Sequence, residues 1–214
     1  MKWVLDKVKT FDNLFVDCHK NVRNKMDQLF KLECKVIDII LSSAMKTIFQ
    51  ASRSHDEFQA EMADLEEGVE ESLTNEKLVS QLTVNASGFV VTIGVFWSPY
   101  NMKLLISEGI RRDLSDVNMD VAIGFMGELC NGIAGGIKAE MVKFGINMTL
   151  GLPEYEEAFD ANKHQWDFIW NMYVQEGGVI FFAKVDPWES DQLKTLLEKK
   201  SEEKSDDDDD IEFL

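Results

Sequence analysis

Residues 127–141 read Gly-Glu-Leu-Cys-Asn-Gly-Ile-Ala-Gly-Gly-Ile-Lys-Ala-Glu-Met, or GELCNGIAGGIKAEM. The apolar residues recur at three- and four-residue spacing, which predicts a helix. Yet the stretch is dense in glycine, the residue a helix tolerates worst after proline. The pattern extends from Asp116 to Phe144, and Gly145 follows as a terminator. On a wheel at ~100° per residue, Val117, Val121, Ala122, Phe125, Met126, Leu129, Ile133, Ala134, Ile137 and Met141 form one stripe that must be buried. Gly124, Gly127, Glu128, Asn131, Gly135 and Lys138 fall on the other side. Three outward glycines cost the helix ~2–3 kcal/mol relative to alanine. Close approach by another molecule's backbone offsets such a cost, and glycine is the residue that permits it. Gly124, Gly127, Gly135 and Lys138 therefore read as a surface for an approaching partner.

Glu128 and Asn131 stand on that bare face, three residues apart and so ~5–6 Å from each other at Cβ. An amide accepts and donates at once, and so holds a water in a fixed orientation. A carboxylate takes a lysine from a partner. An oriented water in line with phosphorus hydrolyses a phosphoryl group, because positioning and electrostatics supply most of that catalysis. A Glu and an Asn at this spacing also occur by chance on wet helix faces. The cleared surroundings are what favour function here.

The rest of the chain alternates between two periods. Residues 1–50 read as helix, most clearly where Val36, Ile37, Ile40, Leu41, Ala44, Met45, Ile48 and Phe49 recur. Segment 52–77 is polar and acidic, a solvated helix or a mobile loop. From Gln81, LTVNASGFVVTIGVFW is rich in β-branched and aromatic residues, with Asn85–Gly88 as a turn. Ser98-Pro99 opens a short helix to about Ile110. INMTLGLP reads as a strand. HQWDFIWNMYV and GVIFFAKV read as a hairpin around Glu176-Gly-Gly178, and helix follows over 188–200. Helices before, between and after antiparallel strands predict an α+β fold: an antiparallel sheet with long helices packed on one face. Trp97, Trp166, Trp170, Phe181 and Phe182 read as sheet core, and the methionines as filler.

The chain has 214 residues and a net charge of −17. The last fourteen, SEEKSDDDDDIEFL, hold eight acids and one lysine, so the remainder still carries −10. This balance disfavours nucleic acid, whose phosphates need lysine and arginine, and an anionic membrane surface. Cys18, Cys34 and Cys130 are odd in number and far apart, and read as free thiols in a reducing compartment. His19, His55 and His164 are scattered, so no metal cluster is expected. The start is too often broken by charge for a secretory signal. The apolar runs fall short of the ~20 residues that span a bilayer. A cytoplasmic chain without membrane insertion is expected. No nucleotide-binding glycine motif is present.

Glu128-Leu-Cys-Asn131 resembles the Glu-x-x-Asn motif of the CheC/CheX/FliY chemotaxis phosphatases. Asn131-Gly-Ile-Ala-Gly-Gly-Ile-Lys138 is similar to the family's Asn-x-x-x-Gly-Asn-x-Lys run. The segment from Gly145 to Pro153 resembles the strand that follows, and Thr92–Trp97 with the helix from Ser98 matches the element order. Gly124 departs from members with Ser or Asp there, and Gly136 stands where many have Asn. A single motif makes the arrangement similar to CheX. The resemblance implies a CheX-like α+β domain over 29–187 with an acidic insert at 52–77. Flanking it are an N-terminal helical extension over 1–28, a C-terminal helix over 188–200 and a disordered acidic tail over 201–214. It implies a phosphatase acting on the aspartyl phosphate of a response-regulator receiver. Asn131 would orient the attacking water and Glu128 would contact the receiver's active-site lysine. Mg²⁺ would belong to the CheY-like receiver, with no cofactor of the chain's own, and a homodimer would form through sheet edges. The alternative is a catalytically silent receiver-binding or flagellar assembly module; an inert structural dimer would leave the bare face unexplained.

The tail ends its acidic run with Ile211, Phe213 and Leu214, although a purely solvating tail needs no phenylalanine. It looks similar in kind to the acidic peptides by which flagellar-switch proteins and the unrelated phosphatase CheZ hold receivers. A tether of this kind raises the receiver's effective concentration at Glu128 and Asn131. Deletion of 205–214 is expected to raise the apparent KM for phosphorylated receiver while kcat holds; an unchanged KM removes the tether.

Overall fold

The computed structural model describes residues 26–52, 58–62, 78–98, 106–107, 111, 113–157, 166–174 and 177–198. The acidic tail and the first 25 residues, expected to be helical, lie outside the described residues. Helix α1 (Met26–Ser52) runs without a break across the expected boundary at residue 28. Strands β2 (Leu78–Ala86) and β3 (Phe89–Trp97) form a hairpin in which Ala86 pairs with Phe89. The turn is the Ser87-Gly88 half of the predicted stretch, and Gly88 takes φ +96°, a left-handed conformation open to glycine at no steric cost. Strands β6 (Phe168–Val174) and β7 (Gly177–Asp186) form the predicted second hairpin.

INMTLGLP was expected to be one strand and is divided. Its β4 (Met148–Leu150) and the following β5 (Glu154–Glu156) both pair with β2, separated by Gly151-Leu152-Pro153. Segment 52–77 is also corrected, from a solvated helix or loop to one that contains a strand. Strand β1 (Phe58–Met62) pairs antiparallel with β6, Phe58 opposite Val174 and Met62 opposite Trp170. The seven strands run β1-β6-β7-β3-β2-β4, with β5 beside β4 on β2, and every pairing is antiparallel. Of the helix predicted from Ser98, Ile106 and Ser107 are described, helical and buried.

Alternation along the strands divides the sheet into two faces. Phe89, Val91, Ile93, Val95 and Trp97 of β3 join the main core beneath the helices. Phe96 points the other way, into a smaller cluster with Val79, Ile169 and Phe182. Trp166 lies half-buried against Phe182, ring centroids 3.9 Å apart. Trp97, Trp170, Phe181 and Phe182 are buried, as read from the sequence. Helix α2 (Met119–Lys143) lies on β2 and β3, α1 lies on α2, and α3 (Asp191–Glu198) lies on α1. Lys35 of α1 ties this layer together. Its Nζ donates to the Leu196 carbonyl at 2.8 Å and sits 4.4 Å from the centre of the Phe144 ring.

Helix α2 starts later than the pattern predicts. Leu114–Asp116 form a 3-10 turn, and the cap is Asn118, whose side chain accepts from the Val121 N–H at 3.0 Å. The far end is as predicted. Gly145 takes φ +77°, its N–H donates to Val142, and the Ile146 N–H donates to Met141 at 3.1 Å. That is the 6→1 and 5→2 bond pair of a Schellman cap. Ile146 and Met141 are both buried, the apolar contact that accompanies such a cap.

Two of α2's glycines are explained inside the chain. A Cβ on Gly132 would lie 2.8 Å from Thr47 Cγ2, and one on Gly136 would lie 3.0 Å from Ser43 Cβ. Ser43 and Thr47 are one turn apart on α1, so the small faces of the two helices interlock. Gly136→Ala is expected to destabilise the fold by about 1–3 kcal/mol through overpacking. Gly135→Ala, where nothing lies within 4 Å of the added methyl, is expected to stabilise it by about 0.5–1 kcal/mol. Urea unfolding of the two variants checks both signs.

Candidate functional site

The buried stripe of α2 comprises Ala122, Met126, Leu129, Cys130, Ile133, Ala134, Ile137 and Met141. Val121 and Phe125, read as part of it, are half-buried at its edge. Opposite runs the row Gly124, Glu128, Asn131, Gly135, spaced by four, three and four residues and so nearly straight along the helix. A Cβ on Gly124 or Gly135 would meet nothing within 4 Å. Glu128 is exposed and Asn131 half-buried. Two shoulders bound this row. Helix α1 flanks it through Ser43 and Thr47, at Gly136 and Gly132. The β4–β5 connection flanks the other side, where Pro153 Cβ lies 3.5 Å from a Cβ built on Gly127. Gly127 is therefore packed against the chain itself, and of the four residues read as partner-approach surface, Gly124 and Gly135 face open space. Lys138 is half-buried on the same side of the helix.

The geometry can admit a protrusion of a partner molecule between the shoulders, down to Asn131. At that point a carboxylate and an amide meet it on a helix wall otherwise lined by glycine. The amide is not sealed under the sheet. Position 136 offers no third polar group, and Ser43 crowds it, with its Cβ 3.0 Å from where a β-carbon would stand.

The fold is shared with solved structures of chemotaxis proteins. CheX from Vibrio vulnificus superposes with a TM-score of 0.54 at 13% identity, over 71% of this chain and 99% of that one. The chain has the CheC/CheX fold. A chain of the CheX–CheY–BeF3–Mg²⁺ complex from Borrelia burgdorferi matches with a TM-score of 0.55 at 12% identity, over 70% and 96% of the two chains. A chain of the FliM–SpeE complex from H. pylori matches with a TM-score of 0.53 at 12% identity, over 82% and 97%. No family model matches the sequence, and none of the curated proteins matches it significantly.

Within this CheC/CheX fold the remaining sequence candidates divide. Ile211, Phe213 and Leu214 lie outside the described residues. Among the described residues no group of three or more His, Cys, Asp and Glu is arranged to hold a metal, and no helix is long and apolar enough to cross a membrane. The Gly151-Leu152-Pro153 shoulder is an element of the site beyond the sequence expectations. Its signal was present, since a Gly-x-Pro triplet punctuates a strand.

Cys130 adjoins Asn131 in sequence but points ~100° away around the helix, on the buried side. It is fully buried, its Sγ donates to the Ser80 carbonyl at 3.4 Å, and burial pushes its thiol up to about 12. A thiol buried and held neutral in this way is no nucleophile. Burial, then Asp38 and Glu33, also raises the half-buried Cys34. Of these two, alkylation of the native protein at pH 8 is expected at Cys34, with Cys130 modified only in denaturant. Peptide mass mapping checks this, and native labelling of Cys130 would contradict its placement.

Proposed function

We propose that the protein is a phosphatase for the aspartyl phosphate of a response-regulator receiver. The observation that carries this reading is the open row on α2, with Glu128 and Asn131 between two bare glycines. The fold likeness to a chain of a CheX–CheY–BeF3–Mg²⁺ complex supports a CheY-like receiver as the partner. The receiver docks on the row between the shoulders, where Gly124 and Gly135 let its backbone approach. The Asn131 amide accepts from a water and fixes it in line with the phosphorus. The water's oxygen bonds to phosphorus as the bond from phosphorus to the aspartyl oxygen breaks; the aspartate carboxylate is restored on the receiver, and inorganic phosphate leaves with the water's protons. Glu128 pairs with the receiver's active-site lysine and sets the register of docking. Mg²⁺, held by the receiver, neutralises charge on the phosphoryl oxygens when bound. The chain acts by positioning, so it needs neither a nucleophile nor a metal of its own. A receiver of this kind would place the protein in the cytoplasm.

A silent binding module is the second reading. The likeness to a chain of the FliM–SpeE complex and the absence of a side chain at Gly136 favour it. One assay separates the two, in which the organism's receivers are phosphorylated and phosphate release is followed with and without the protein. Asn131→Ala is expected to lower kcat about 100-fold, the scale on which lost positioning is felt, with KM little changed. Glu128→Ala is expected to raise KM. Co-elution with a receiver whose phosphate lifetime does not change would establish the silent module instead.

A further inference from the structure

Leu152 is the most exposed large apolar residue of the described chain, at 85%. An exposed leucine alone needs no explanation. The way this one is held does. On one side, the Gly151 N–H donates to the Thr83 carbonyl at 2.7 Å. A Cβ on Gly151 would lie 2.8 Å from Thr83 Oγ1 and 3.0 Å from the Thr83 carbonyl oxygen, so the backbone lies flat on β2. On the other side, Pro153 has a fixed φ and packs on Gly127 of α2. Beyond it, Glu154 enters β5 opposite Gln81. The residue between these two anchors has no freedom to fold its side chain back by moving its backbone. The loop holds a leucine out in water beside the helix turn that carries Glu128.

Leu150, two residues before Leu152 at the end of β4 and 39% exposed, adds to the exposed apolar surface of this connection. A partner that reaches Asn131 must pass the Gly151–Pro153 shoulder, and Leu152 stands at its crest. Glu128 and Asn131 supply chemistry and register, yet charge and amide contacts contribute little net affinity in water. Burial of an apolar side chain contributes more, and a side chain already held in place loses less freedom on binding.

We propose that Leu152 is the apolar anchor by which the receiver docks, seated in a hydrophobic depression next to the receiver's phosphorylation site. This rests on the phosphatase reading for its partner, and separates binding from chemistry within the site. Leu152 is a positioning residue and touches no reacting atom.

The test measures Kd for the organism's CheY-like receivers activated with beryllofluoride and Mg²⁺, using the full chain, Leu152→Asp, Leu152→Ala and Asn131→Ala. Phosphate release is followed in parallel. Leu197→Ser, on α3 and 38% exposed, is the control. Leu152→Asp is expected to weaken binding at least about tenfold and raise KM alike, with kcat within about twofold. Leu152→Ala should weaken it several-fold. Both should melt with the parent, because the side chain is in water in the free protein. Unchanged Kd in Leu152→Asp overturns the anchor, and leaves the phosphatase reading standing if Asn131→Ala still abolishes release. Absence of release by the parent chain overturns that reading, while the Kd values still decide the anchor. If no activated receiver binds the parent chain, both fall.

Discussion

The close approach of α1 to α2 is the constraint on which the rest depends. Ser43 and Thr47 enter the space that side chains at Gly136 and Gly132 would occupy. Glycine weakens an isolated helix, and here that loss permits interlocked packing of two helices over one sheet. Because α1 is held at that height and on that flank, Thr47 and Ser43 abut 132 and 136, while a β-carbon at 124 or 135 would meet nothing within 4 Å. A wider spacing, with side chains at both notches, would move α1 and reshape the wall beside Asn131. The site therefore inherits its shape from a packing contact that contains no site residue.

The other flank is set by different means. Gly151 lies on Thr83 and Pro153 lies on Gly127, so the connection between β4 and β5 is tied to both the sheet and the helix. Helix α2 is itself fixed at both ends, by Asn118 and by the cap at Gly145. Below, Cys130 and the rest of the stripe are sealed on β2 and β3. The two polar side chains therefore stand on a wall whose position is determined from four directions. Such rigidity suits a surface that works by holding a water and a partner in place, since no part of it has to be ordered on binding.

Particular residues show how far local pattern carries. The hairpin at Ser87-Gly88, the cap at Gly145, the stripe on α2 and the buried aromatics were legible, because each is a local rule of turn chemistry or period. The pattern puts the α2 start at Asp116, because acidic residues suit a first turn, whereas the structure caps the helix at Asn118. The strand Phe58–Met62 is hidden in the sequence by its acidic surroundings. The alternation Phe-Gln-Ala-Glu-Met is only five residues long, and its partner β6 lies more than a hundred residues away in sequence. Strand pairing at that separation leaves no mark on local composition.

By itself the sequence determined that one helix would bury a stripe and expose a Glu and an Asn on its far side. A side chain's angle around a helix follows from its position alone. It also determined the α+β class and both hairpins, through changes of period and the turn residues between them. Only the tertiary structure decided which glycines are notches and which are windows. Gly132, Gly136 and Gly127 are met by α1 and by Pro153, while Gly124 and Gly135 are met by nothing in the chain. The physical reason is that periodicity fixes direction from a helix axis, whereas distance to the next element depends on packing between segments remote in sequence.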